Sequence, residues 1–369
     1  MRLCFVYNMD LGRGDIDLGD DSPEQVRQWI RSLSRFGDVT SVELMNIEDV
    51  VRELSGAGPS GHRPDLVVNM SEARYGTYKE AFLPMLCDAL GLPHTLSDAR
   101  GFLLTQDKAL AKSEVERLGV IKVPKGMTIS DRDIEAGLAN AVGLRYPLIV
   151  KPVYNGTSEG IYADSVVDNG DELALKVREV LEDWPGTVLV EEYIHGIDVF
   201  VPYLEYFRGS DASGVPNPEV LEPYEIYVDQ KHLGDRKYFT YDFEFKTTYD
   251  HLVQVRTPLN LPKHVIDDVR ARCAAIYKGL DIRDIGRIDL RITEDGTPYF
   301  LELNAMPAVS EGGEFQQAAK WRGGLDYDGI IGAIIQSAAQ RYGLKIEMRE
   351  PARTVASEIF AAVTAPKFN

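Results

Sequence analysis

The sequence predicts an α/β protein of two or three domains, and three observations carry that prediction. Strand-like and helix-like segments alternate over roughly the first hundred residues, as in a small parallel sheet. A two-strand hairpin signature stands much later, from Gly286 to Pro307. The chain has 369 residues, 44% of them hydrophobic and 27% charged, enough to bury more than one core.

In order along the chain, Leu3 to Tyr7 is a short apolar run suited to a buried first strand. Asp10 to Asp21 is rich in Gly and Asp. Ser22-Pro23-Glu24 then opens a helix, with Ser22 as its cap and Pro23 at the first helical position. Val39 to Leu44 and Asp65 to Asn69 read as the next strands, with a loop over Gly56 to Pro64 between them. The polar section Glu72 to Lys79 suits an active-site edge. Helix Leu83 to Leu90 has Pro84 near its start, Gly91 past its end and Pro93 beyond.

A domain boundary is expected near Gly101. Thr105 is expected to cap a helix that runs to Leu118 and closes at Gly119. Lys108 and Lys112 lie four residues apart on one face of it, and an ordinary solvated position is the preferred reading of Lys112. Tyr146 to Lys151 is a strand, and Thr187 to Ile194 another, continued past Gly196. Arg208 to Val220 carries turn chemistry throughout. Val220 to Val228 and Tyr238 to Lys246 read as further strands. His264 to Lys278 forms a helix stopped by Gly279, with Val265, Val269, Cys273 and Ile276 on one stripe. Gly312, Gly313, Gly323 and Gly324 punctuate a loop-rich stretch. Helices are expected from Asp328 to Tyr342 and from Ala352 to Ala365.

Lys plus Arg number 40 against 58 Asp plus Glu, a formal net charge of −18. That balance argues against a nucleic-acid or anionic-membrane surface, though it allows a local basic pocket. Cys4, Cys87 and Cys273 lie far apart and make no disulfide framework, which fits a reducing cytoplasm. No two of the six histidines sit at ligand spacing, so zinc is not expected. The opening MRLCFVYN is too short an apolar run for a signal peptide.

Chemistry is concentrated in the hairpin. Ile288, Leu290 and Ile292 alternate with Arg287, Asp289 and Arg291, and Asp295-Gly296 supplies the turn. If the strands pair with aliphatic faces together, Asp289, Glu302 and Asn304 share the other face with Arg287. Two carboxylates and an amide suit Mg²⁺ bound jointly with substrate phosphates. A salt-bridged surface hairpin is the alternative. A second signal is the loop after Lys151, where Gly156 and Gly160 flank Thr157 and Ser158. Its backbone N–H groups and hydroxyls can wrap phosphates, although it lacks the P-loop pattern and a plain hairpin turn would read the same.

Taken together, the lysine helix, KPVYNGTSEG, VLVEEYI, DFEFKT, GRIDL and ELNAMP stand in an order that resembles the ATP-grasp superfamily. Within it they resemble the D-alanine–D-alanine ligase-like group, over roughly residues 65 to 345. The resemblance implies three α/β domains: an N-terminal one over 1–100, a central ATP-grasp unit over 101–198 and a C-terminal unit with the Mg²⁺ site over 199–345. A tail helix fills 346–369, and ATP sits between the central and C-terminal units.

The resemblance also implies roles. Lys108 and Lys151 would contact the α- and β-phosphates, with Asn155, Gly156, Thr157, Ser158 and Gly160 closing over them. Glu191 would accept from the adenine amino group, and the backbone of Glu192, Tyr193 and Ile194 would form the purine hinge. Asp198 would bind the ribose hydroxyls, Lys246 the γ-phosphate. Asp289, Glu302 and Asn304 would hold two Mg²⁺ ions, with Mn²⁺ as an alternative, and Arg287 would stabilise the tetrahedral intermediate. The activity implied is carboxylate–amine ligation through an acyl phosphate. Phosphoryl transfer of this kind needs positioning and charge neutralisation more than a protein nucleophile.

Three substrate contacts depart from the group. YNMDLGRGDIDL lacks its glycine-rich strand end followed by Ser and Glu, Thr157 and Thr247 replace its Ser and Tyr, and Gly313-Glu314 replaces its carboxylate-binding Ser-Leu. Glu311 adds negative charge nearby. The reading is therefore a ligase joining amino-acid-like substrates in specialised metabolism. Alternatives are a cell-wall D-alanine–D-alanine ligase, a mycosporine-type amine ligase and a non-catalytic ATP-binding module. The expected partners are a small carboxylate and an amine, with no nucleic acid and no membrane, and with a homodimer as an option.

Overall fold

The computed structural model describes residues 1–9, 22–154, 156–206, 217–234 and 236–346. Asn155, the Gly/Asp-rich segment, most of the turn-rich insertion and the expected terminal helix lie outside the described residues.

The chain begins with β1 (Arg2–Tyr7), α1 (Pro23–Leu33), β2 (Asp38–Glu43), α2 (Ile47–Ser55) and β3 (Leu66–Met70). The strands form a parallel sheet in the order β2-β1-β3. Ser22 caps α1 as expected: its hydroxyl accepts from the Gln25 N–H, and the Gln25 side chain accepts from the Ser22 N–H. Trp29 of α1 stacks on Phe5 with ring centroids 5.7 Å apart. Next come α3 (Phe82–Leu90), closed by Gly91 in the left-handed region, and α4 (Ala99–Gln106). The expected boundary at Gly101 falls inside α4, where a Cβ would come within 2.7 Å of Ser97 Cβ.

Asp107, not Thr105, caps α5 (Lys108–Leu118). Its carboxylate accepts from the Leu110 N–H, whereas the Thr105 hydroxyl donates within α4 to the Phe102 carbonyl. A carboxylate is the stronger acceptor for an exposed helix N-terminus.

The second sheet contains β4 (Gly126–Ser130), β5 (Leu148–Pro152), β6 (Val166–Val167) and β7 (Thr187–Glu192), in the order β4-β7-β5-β6. Helices α6 (Ile134–Asn140) and α7 (Gly170–Asp183) pack on it, and Leu173, Val177 and Val180 of α7 share a core with Leu148, Val150 and Val190 of the strands.

The third sheet is built on β8 (Ile197–Tyr206), with β9 (Asn217–Val220) beside it, then β10 (Tyr224–Val228), β11 (Val253–Arg256), β12 (Ile285–Ile292) and β13 (Pro298–Asn304). Its main path is β11-β10-β8-β12-β13. Two expectations fail here. The segment 238–246 is not a strand: Asp242 accepts from the Phe245 N–H and starts the short helix α8 (Phe243–Thr247). Gly279 does not stop α9 (Lys263–Leu280). A Cβ there would meet Leu118 methyls at 2.8 Å, so this glycine permits close approach of α5, and Asp281 at φ 56° ends the helix.

The stretch expected to be loop-rich contains α10 (Glu314–Gly323) and is followed by α11 (Tyr327–Arg341). Gly313 and Gly324 bracket α10 as its caps rather than interrupting it. Among the described residues no helix is long and apolar enough to cross a membrane.

The hairpin is the hub. Ile288, Leu290 and Ile292 are buried with Val269, Cys273 and Ile276 of α9 and with Ala111 and Val115 of α5. That core fixes which way β12 faces, and so turns Arg287, Asp289 and Arg291 to the other side.

Candidate active site

β12 and β13 pair antiparallel with Arg287 opposite Asn304 and Asp289 opposite Glu302, followed by a register irregularity after Asp289. All four residues therefore share one face, as the alternation predicts. The salt-bridge alternative is partly realised as well. Arg287 Nε and Nη2 donate to the two Asp289 oxygens at 2.7 and 2.8 Å, but on a largely buried face rather than in solvent. Asn304 Oδ1 accepts from the Met306 N–H at 2.9 Å.

Three lysines from three elements surround this face. Lys108, at the start of α5, has its Nζ 3.8 Å from Glu302 Oε2. Lys151 comes from β5, and Lys246 from α8, with its ammonium 5.1 Å from the centre of the Tyr241 ring. Burial would raise the Glu302 carboxyl, but Lys108, Lys246, Lys151 and Arg287 outweigh it and hold it down at about 2. Burial pushes Lys246 down to about 8, with Glu302 opposing the shift. It also lowers Lys108, again against Glu302.

Glu191 lies near the end of β7 and is 1% exposed. Its Oε1 lies 2.6 Å from Lys151 Nζ and its Oε2 2.9 Å from Lys112 Nζ. Lys112 is thus not a solvated lysine: it is 6% exposed and also donates to the Phe300 carbonyl at 3.2 Å. A sequence signal existed, because Lys112 shares the buried face of α5 with Ala111 and Val115. Burial would raise the Glu191 carboxyl, but the two ammonium groups outweigh it and keep it below its ordinary value.

In this region the buried oxygens Glu191 Oε2 and Asp198 Oδ2 have no hydrogen-bond donor among the described residues. Lys112 Nζ lies 2.9 Å from the first as its charge partner. These are the two carboxylates expected to face a purine amino group and a ribose, and open buried acceptors suit such donors.

Sequence reasoning missed Arg291. Its Nε donates to Asp198 Oδ1 at 2.7 Å, and its Nη1 reaches the carbonyls of Ile194 and Phe239. The register that sets Arg291 opposite Asp198 on β8 is a long-range pairing with no local signal. In the hinge, the Glu192 and Tyr193 N–H groups donate to the Lys125 and Pro147 carbonyls, and Arg145 clasps the Glu192 carboxylate. Glu80 was also missed, one residue beyond the polar section. Burial and then Glu72 push its carboxyl up to about 8, with Lys79 and Lys108 opposing.

The glycine loop has Thr157 at φ 52°, Ser158 at φ 62° and Gly160 at φ 73°. A Cβ on Gly160 would lie 2.5 Å from Pro152 Cγ, so only glycine fits there. The Ser158 hydroxyl donates to the Tyr241 carbonyl at 2.9 Å, tying the loop to the segment before α8. Thr247 plays no such bridging part: its hydroxyl donates back to the Phe243 carbonyl. An open cleft of about 780 Å³ beside residues 192–195 is lined by Lys122, Arg145, Tyr193, Ile194 and Tyr299, and by none of Lys108, Lys151 and Lys246.

Among the described residues no group of three or more His, Cys, Asp or Glu could hold a metal. Asp289, Glu302 and Asn304 offer only oxygen donors, which fits a hard cation that completes its shell from phosphates and water.

Asp289 and Glu302 differ sharply in environment, and Tyr224 and Tyr241 extend the site past Arg287. Both phenols are pushed up first by burial, with Glu314 adding to the rise and Arg287 opposing it. Glu314 is exposed at the N-terminal end of α10, while Glu311 is offset by Arg31, whose Nη2 lies 3.2 Å from its carboxylate.

Residues 121–336 match the family model described as D-ala D-ala ligase C-terminus. A D-alanine–D-alanine ligase of Bifidobacterium longum strain NCC 2705 is 30% identical over 74% of this chain and 62% of its own length. Among solved structures, the VanG D-Ala:D-Ser ligase of Enterococcus faecalis superposes with TM-score 0.68 at 18% identity, covering 91% of this chain and 99% of that one. The D-alanine–D-alanine ligase of Bacillus anthracis complexed with ATP superposes at 0.66, also at 18% identity, over 93% and 99%. The fold shared with these structures is the ATP-grasp fold expected from the motif order.

Proposed function

Because this chain belongs to the D-alanine–D-alanine ligase family of ATP-dependent carbon–nitrogen ligases, we propose that it joins a carboxylate to an amine acceptor other than D-alanine through an acyl phosphate. The observation that carries this reading is the convergence of Lys108, Lys151 and Lys246 on the face holding Glu302, Asp289 and Arg287. The ATP complex of the Bacillus anthracis ligase supports nucleotide use by the same fold.

In this reading the lysines bind and orient the phosphate chain, and Glu191 and Asp198 accept from the purine and ribose. Asp289, Glu302 and Asn304 would hold Mg²⁺, which when bound neutralises phosphate charge as a Lewis acid. The substrate carboxylate attacks the γ-phosphoryl group, giving an acyl phosphate and ADP. The amine then adds to the acyl carbon and phosphate leaves. Arg287 would meet the oxyanion that grows in that addition. Direct attack on a free carboxylate would expel an oxide-like group, which is why activation must come first.

Glu314 bears on the choice of acceptor. A free α-carboxylate needs donors or a cation, and an acidic side chain near Tyr224 and Tyr241 opposes it. A cationic or neutral amine, or one with its acid placed elsewhere, suits the site better.

The test is a product screen over paired carboxylates and amines. ADP and inorganic phosphate are expected for a productive pair. AMP and pyrophosphate would mean an adenylate route and would overturn the proposal, as would turnover that required D-alanine as both substrates.

A further inference from the structure

We propose that Lys112 is a positioning residue for nucleotide binding: it holds Glu191 in place as an acceptor, so that Lys151 is free to leave Glu191 for the phosphates. The inference rests on the nucleotide reading above and adds to it a residue that reading does not use.

The geometry separates the two lysines on Glu191. Lys112 is held at a second point, the Phe300 carbonyl at 3.2 Å, and its ammonium lies 5.8 Å from the centre of the Phe300 ring. Phe300 is on β13, two residues before Glu302, so Lys112 is built into the wall that carries the candidate metal face. Its backbone sits mid-way along α5, whose Ala111 and Val115 are locked into the same core. Lys151 has no such second anchor among the described residues: its ammonium pairs with Glu191 Oε1 at 2.6 Å, and it stands directly before the glycine loop.

One carboxylate facing two cations is an unequal arrangement that a phosphate can rebalance. When phosphate draws Lys151 away, Glu191 stays buried at 1% exposure and needs a counter-charge. Breaking a buried pair by removing one partner is strongly unfavourable, because the remaining charge is uncompensated. With Lys112 in place, Glu191 keeps a cation at 2.9 Å throughout. Without it, Glu191 would retain Lys151, and the phosphates would have to compete for that lysine. A carboxylate oxygen carries two lone pairs, so Glu191 Oε2 held by Lys112 can still accept from a purine.

A purely structural Lys112 would behave differently. Its loss would lower stability and weaken every nucleotide-site ligand alike, with no dependence on phosphate.

The experiment is calorimetric titration of the full chain with adenosine, ADP and ATP, for the wild type, Lys112→Met, Lys112→Arg and Glu191→Gln. The readout is the ratio of ATP to adenosine affinity. Lys112→Met is expected to lower that ratio by roughly tenfold, equivalent to about 1.4 kcal/mol, and Lys112→Arg to preserve most of it. Glu191→Gln is expected to weaken adenosine while raising the ratio, since nothing then retains Lys151. An unchanged ratio in folded Lys112→Met overturns the inference. Should Lys112→Met fail to fold, Glu191→Gln decides alone, and a ratio that is unchanged or lower overturns it. A wild type that bound adenosine and ATP equally weakly would overturn the nucleotide reading together with this one, whereas tight wild-type ATP binding with unmoved ratios would sink only the role of Lys112.

Discussion

Asp289 and Glu302 face each other in register across β12 and β13, yet their carboxyls are driven in opposite directions. Burial pushes Asp289 up to about 6, with Arg287 opposing and Glu302 adding to the rise. Glu302 is held down at about 2, because the surrounding cations outweigh its burial. One strand pair therefore presents a carboxyl that gives up its proton late and another that is ionised at nearly any pH.

The pair should leave opposite marks on stability in nucleotide-free, metal-free protein. From Asp289's ordinary 3.8 up to about 6, the folded state binds more protons than the unfolded one, so its contribution falls as pH rises through that window. For Glu302, between about 2 and its ordinary 4.5, the folded state binds fewer protons, and its contribution is lost as pH falls. Urea unfolding across pH 2 to 8 should show the first component vanish in Asp289→Asn and the second in Glu302→Gln. Both variants should also lose Mg²⁺-dependent ADP formation, and full activity in both would leave the hairpin as a salt bridge only.

Arg287→Ala should slow turnover by about 3 kcal/mol, roughly a hundredfold, with little change in KM for ATP. Both of its bonds go to Asp289 and none to Lys108, Lys151, Lys246, Glu191 or Asp198, so its loss should be felt in the acyl step. Steady-state kinetics at saturating ATP separates the two effects. A rise in KM for ATP with kcat preserved would contradict the oxyanion role.

Lys246, pushed down to about 8 by burial, should impose a basic limb on kcat/KM for ATP. Above that pH the free enzyme loses the positive charge proposed to meet the γ-phosphate. Bound nucleotide restores an anionic partner, so the limb in kcat should lie at higher pH. Lys246→Arg, which stays charged, should show no limb near 8 in its pH–rate profile, at reduced overall rate.

D-alanine as both substrates should support little or no phosphate release, and amines lacking an α-carboxylate should do better. Glu314→Ser should raise activity with carboxylate-bearing acceptors severalfold, a modest gain because Glu314 is exposed and its field is screened. The comparison is phosphate release by wild type and variant over the same acceptor set. Efficient D-alanyl-D-alanine synthesis by the wild type would restore the cell-wall reading.

What the sequence determined by itself was local. The alternation of Ile288, Leu290 and Ile292 with Arg287, Asp289 and Arg291 dictated a two-faced strand, because a strand's side chains alternate and the aliphatic set must be buried. Ser22 and the Asp295-Gly296 turn were legible for the same reason, since each acts within a few residues of itself. The placement of partners was decided only by tertiary structure. Thr105 and Asp107 competed for one cap, and the carboxylate took it. Gly279 looked like a stop until the approach of Leu118 explained it. Lys112 looked solvated because its partners, Glu191 and the Phe300 carbonyl, lie 79 and 188 residues away. Burying a lysine is unfavourable on its own, so no local rule predicts it; only the tertiary approach of Glu191 on β7 and of the Phe300 carbonyl on β13 supplies the partners that make it stable.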